Sequence, residues 1–83
     1  MLEGMDMQSE ELINVFRRNL RQRRLELGLT QTDVAKKVGV DAGYISDIEL
    51  GKRRPNLSRL APLAEALDTT PSALISSAIL SGT

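Results

Sequence analysis

Three consecutive cations, Lys52, Arg53 and Arg54, stand between Gly51 and Pro55 in this 83-residue chain. A loop of that composition suits anions: guanidinium forks match phosphate oxygens in pairs, and neutralising several phosphates makes binding fall steeply with salt. The eight residues before Leu50 carry Tyr44, Ser46 and Asp47, while Ile45 and Ile48 lie three apart and would share the buried side of a helix. Hydrogen-bonding groups would then face outward, next to the cations. The chain contains no histidine and no cysteine. That removes Cys and Ser-His nucleophiles, the usual zinc-ligand clusters and any disulfide framework. With no paired carboxylates to act as acid and base, no catalytic residue can be named; an enzyme, a metal and a cofactor are all unexpected.

The elements that would position these groups are helices. Ser9 reads as a cap for a first helix over 10–27, with Glu10 and Glu11 in its first turn and Leu12, Phe16 and Leu20 repeating every four residues. Leu25 continues that buried side toward Gly28. Thr30, followed three residues later by Asp33, forms a variant of the capping box, and Val34, Ala35 and Val38 supply an apolar stripe over about 31–37. Gly39 ends that helix, Asp41 caps the next at 42–49, and Gly51 stops it. A fourth helix has the stripe Leu57, Leu60, Leu63, Ala64 and Leu67 but contains Pro62, so it begins late from Ser58 or, from Asn56, with a distorted first turn. Thr70-Pro71 opens a fifth helix over about 71–80. The predicted fold is an all-α, five-helix domain over residues 9–83, with residues 1–8 a flexible segment.

The ordered set Arg24, Leu29-Thr30-Gln31, Val34-Ala35, Gly39, Tyr44-Ile45-Ser46, Ile48-Glu49, Gly51 and Pro55, continued by Leu57, Leu60, Leu63-Ala64 and Leu67, resembles the lambda-repressor-like, Cro-type helix-turn-helix family over roughly residues 12–75. The resemblance implies that the second motif helix enters a DNA major groove while the first lies across the phosphates. Ala42, Gly43 and Ser46 then match base-reading positions, with Tyr44 and Asp47 beside them. Ala42 and Gly43 depart from the Gln, Arg or Thr common in relatives and offer no side-chain hydrogen bond. Gln31 matches a phosphate contact, and Lys52, Arg53 and Arg54 would clamp the backbone. Arg24 and Glu49 match a structural ion pair that fixes the angle of the reading helix. Relatives commonly dimerise through the last helix, where Leu74, Ile75, Ile79 and Leu80 crowd together.

Net charge is zero, yet all eleven Lys and Arg lie between Leu12 and Leu60 with only five acids, a local excess of six positive charges. Glu3, Asp6, Glu10 and Glu11 gather at the N-terminus. Such asymmetry suits a basic face offered to phosphates, although a mixed solvated surface would also produce it. A domain this short buries only about 60% of its unfolded surface, which favours a homodimer. The expected function is a sequence-specific regulator binding double-stranded DNA, cytoplasmic and nucleoid-associated, with no membrane contact and no evident small-molecule ligand. The competing expectation is a protein-interaction module of the same fold that has lost base readout.

Overall fold

The computed structural model describes residues 10–76, which form α1 (Glu10–Glu26), α2 (Gln31–Val38), α3 (Ala42–Glu49), α4 (Leu57–Ala66) and α5 (Pro71–Leu74). Among the described residues there is no strand, and no helix is long and apolar enough to cross a membrane. Helix α1 places acids in its first turn and Arg23 and Arg24 in its last, the arrangement that the helix dipole favours. Its inner face buries Phe16 and Leu20 against Val34, Ile45, Leu63 and Leu67, which together form one continuous core. Helix α2 packs on α3 and α4, and α1 on α3 and α5.

Helix α2 opens with a reciprocal cap. The Thr30 hydroxyl accepts from the Asp33 N–H at 3.0 Å, and the Asp33 carboxylate accepts from the Thr30 N–H at 2.9 Å. The Thr30 N–H, first, and the Thr30 side chain, by bonding the Asp33 carboxylate, hold its carboxyl below the usual carboxylate range. A carboxyl depressed in the folded state contributes stability that is present above its unfolded pKa and lost as pH falls through the folded one. Asp33→Asn is therefore expected to narrow the difference in melting temperature between neutral and acid pH, and an unchanged difference would remove Asp33 from the acid response.

Helix α4 starts at the earlier of the two expected caps. Asn56 is its N-cap without a side-chain bond, and the first turn is closed by the Arg59 N–H to the Asn56 carbonyl at 2.9 Å, a tightened turn. Pro62 lies inside this helix, which nevertheless runs on to Ala66. Two apolar positions are corrected. Leu57 is 85% exposed, in the first turn of α4, and the buried stripe of that helix begins at Leu60. Leu25 is 51% exposed, since the buried side of α1 passes through Arg24 instead.

Helix α5 is a single turn that closes at Ile75, short of the expected span to residue 80. Its end is held by a buried polar group: the Asn19 amide donates to the Leu74 carbonyl at 2.8 Å. Carbonyls at a helix end have no partner within the helix, and a side chain from α1 supplies one. Arg23 does the same for the end of α4, its Nε donating to the Leu67 carbonyl at 2.9 Å and its Nη2 to the Asp68 carbonyl at 3.0 Å. Leu74, expected at a dimer contact, is only 2% exposed and belongs to the chain's own core. Ile75 is half-buried against that core, while Ile79 and Leu80, like residues 1–9, lie outside the described residues.

Candidate nucleic-acid interface

Helices α2 and α3 are joined by three residues. Gly39 takes the left-handed conformation at φ 89°, which turns the chain out of α2, and the Asp41 carboxylate then accepts from the Tyr44 N–H at 3.1 Å to start α3. At its other end α3 closes in a Schellman motif. The Gly51 N–H donates to the Ile48 carbonyl at 3.0 Å and the Lys52 N–H to the Asp47 carbonyl at 2.8 Å, with Gly51 at φ 80°. The basic loop thus leaves a capped helix end rather than a frayed one.

Glu49, the last residue of α3, is held by α1. Arg24 Nε lies 2.7 Å from Glu49 Oε2 and Nη2 lies 2.9 Å from Oε1, a bidentate pair away from solvent. The remaining Arg24 nitrogen, Nη1, donates to the Leu29 carbonyl at 2.9 Å. The hydrogen bond to Glu49 raises the guanidinium pKa still further. Gln31 joins the same carboxylate, its amide nitrogen 3.1 Å from Oε1, so the ion pair sets the orientation of that amide. One carboxylate therefore ties α1, the start of α2 and the end of α3 together.

The outer edge of α3 is chemically uneven. Gly43 is exposed, whereas Ala42 is half-buried and packs against the core. Ser46 and Asp47 are both half-buried. Tyr44 packs against the core as well, and its hydroxyl is shut off from solvent with no hydrogen-bond partner among the described residues. Two guanidinium groups approach the Tyr44 ring: Arg53 at 5.3 Å and Arg59 at 6.0 Å from its centroid. Arg53 also lies 4.0 Å from the Asp47 carboxylate. It leans back over α3, which offsets the charge of the one acid on the candidate reading edge. Arg59 was not singled out in the sequence, where it falls within the first turn of α4 and outside the basic triplet. Lys52, Arg53 and Arg54 are all exposed.

The pattern that defines the helix-turn-helix family matches residues 20–74. The chain belongs to that family. Within it, a helix-turn-helix-type transcriptional regulator from Sinorhizobium fredii, y4dJ, is 41% identical over 49 residues, which is 59% of this chain and 64% of that protein's length. The restriction-modification controller protein C.AhdI from Aeromonas hydrophila superposes with a TM-score of 0.71 at 35% identity, covering 75% of this helix-turn-helix chain and 94% of its own. The P22 c2 repressor, solved in complex with a synthetic operator, gives a TM-score of 0.69 at 33% identity over 74% of this chain and 92% of that one.

Proposed function

We propose that this helix-turn-helix protein is a sequence-specific DNA-binding transcriptional regulator of the repressor or controller type, acting as a homodimer on a pseudo-palindromic operator. The observation that carries this reading is the fixed presentation of α3. Its start is capped by Asp41, its end is bonded to α1 through Glu49, and exposed cations follow at once. A reading helix must meet base edges at a set angle while flanking cations hold the phosphates. Gly43, Ser46 and Asp47 are assigned to the groove with Ala42 at its margin, and Lys52, Arg53 and Arg54 to the backbone. Tyr44 supports the helix from beneath Arg53. The restriction-modification controller and the operator-bound repressor among its structural relatives support the reading as a DNA-binding regulator. For the dimer, Ile75, Ile79 and Leu80 remain the proposed contact.

Selection of bound duplexes from a random pool at near-physiological salt tests the reading. The expected result is a palindromic consensus with half-sites about one helical turn, roughly 10 base pairs, apart. A chain that dimerises in sedimentation yet enriches no sequence would instead be an interaction module, the reading that Ala42 and Gly43 favour because neither offers a donor. On the selected operator, Lys52→Ala should weaken binding to all duplexes alike and reduce the slope of log affinity against log salt by about 0.9, the value for one phosphate contact. An unchanged slope with an altered consensus would move Lys52 to the groove.

A further inference from the structure

We infer that Arg17 is a positioning residue for DNA readout, fixing the direction in which the basic loop leaves α3; the inference rests on the regulatory function proposed above. Arg17 and Arg24 stand seven residues apart on α1, two turns along one face, and both end on Glu49. Arg24 takes the carboxylate. Arg17 takes the main chain, its Nη1 donating to the Glu49 carbonyl at 3.2 Å. The Schellman motif uses the carbonyls of Asp47 and Ile48, so the Glu49 carbonyl is the next one at that helix end in need of a donor. A cation also sits favourably at the negative end of the helix dipole.

Arg17 is itself held in place. The Asn14 side-chain oxygen, one turn earlier on α1, accepts from Arg17 Nε at 3.0 Å. Its guanidinium end passes close to Gly51, where a Cβ would lie 3.3 Å from Nε and 3.4 Å from Cδ. The first distance is tighter than most Cβ contacts and the second is ordinary contact, and the positive φ of Gly51 disfavours a side chain there independently. The residue that turns the chain out of α3 therefore lies beside the Arg17 side chain, which is anchored on α1. Lys52 begins the phosphate clamp at the next position. A phosphate-contacting arginine would extend toward solvent, whereas this one is turned inward onto a carbonyl. Its effect on DNA would be to keep the clamp in register with the edge of α3.

The test uses two duplexes of equal length, the selected operator and a scrambled sequence, at a temperature where circular dichroism reports every variant folded. Arg17→Gln is expected to lower operator affinity about tenfold, the equivalent of one charge-assisted hydrogen bond, while scrambled-duplex affinity changes little. Arg17→Lys keeps the charge but cannot hold Asn14 and the Glu49 carbonyl in one rigid fork, so it should fall between the two and leave the salt slope unaltered. That variant carries the test if Arg17→Gln does not fold. Equal weakening on both duplexes with a shallower salt slope would make Arg17 a direct phosphate contact and overturn the inference. So would a lower melting temperature with unchanged discrimination, which marks a purely structural role. If the unsubstituted chain fails to distinguish the duplexes, the regulatory function itself fails instead.

Discussion

Glu49→Ala is expected to cost about 3–5 kcal/mol of folding stability, the range for breaking a buried ion pair from one side. The Arg24 side chain is only 10% exposed, so the substitution leaves a guanidinium without its partner in a place that water scarcely reaches. Gln31 loses its acceptor in the same step. For a domain of this size the loss is a large part of total stability, and the urea midpoint should fall accordingly. The paired replacement Arg24→Met with Glu49→Leu separates two roles of the ion pair. Apolar side chains of similar volume remove the desolvation cost, so most of the stability should return. Operator affinity should not return with it, because nothing then fixes the end of α3 against α1. A cost below about 1 kcal/mol for Glu49→Ala, as for a surface pair, would show that the bridge is screened by solvent and does not orient the reading helix.

How much of this was legible beforehand follows from the range of each interaction. Helix α3 reads correctly because its signals are local: Asp41 caps it, Ile45 and Ile48 mark its inner side and Gly51 ends it, all within eleven residues. The pairing of Arg24 with Glu49 spans 25 positions and came from resemblance to a family, since spacing alone does not bring the two together. Asn19 gave no signal at all. Its amide meets the Leu74 carbonyl across 55 positions, and an asparagine within an amphipathic helix reads as surface. Leu25 and Leu57 failed for a related reason. Periodicity assigns a residue to a face, but the buried side of α1 passes through Arg24 instead of Leu25, and that of α4 begins only at Leu60, one turn past Leu57. Leu74 shows the converse, because apolar crowding at the end of the chain resembles a contact with a partner even where it is the domain's own core. For Tyr44, only the third dimension could reveal the hydroxyl closed in and Arg53 and Arg59 beside the ring.

The base-reading assignment is tested most directly by giving α3 a donor it lacks, and the structure decides where to put it. Ala42 looks like the safer position in sequence, because a glycine at 43 could mark a backbone that only glycine adopts. The geometry reverses that preference. Ala42 is half-buried against the core, so a long amide there would have to displace existing packing. Gly43 is exposed and lies within a helix; a Cβ on it would meet only the Asp41 carboxylate oxygen, at an ordinary 3.6 Å. Gly43→Gln should therefore fold, with a stability gain of about 0.5 kcal/mol from helix propensity, and Gly43→Ala should share that gain without adding a donor. If position 43 faces the groove, the Gln amide can bond adenine at two points, which is worth about 1–3 kcal/mol of discrimination, or roughly 5- to 150-fold between bases. The selected operator should then gain one adenine in each half-site, symmetrically placed, while the Ala variant keeps the parent consensus. The nearby Asp41 carboxylate is the main competitor for the new amide, although it already accepts from the Tyr44 N–H. Capture of the amide by Asp41 would raise stability beyond that of the Ala variant, so the melting temperatures distinguish this outcome. A Gln variant that folds with the stability of the Ala variant and selects the parent operator would mean that α3 does not offer residue 43 to the bases, and the reading edge would have to be sought elsewhere on the domain.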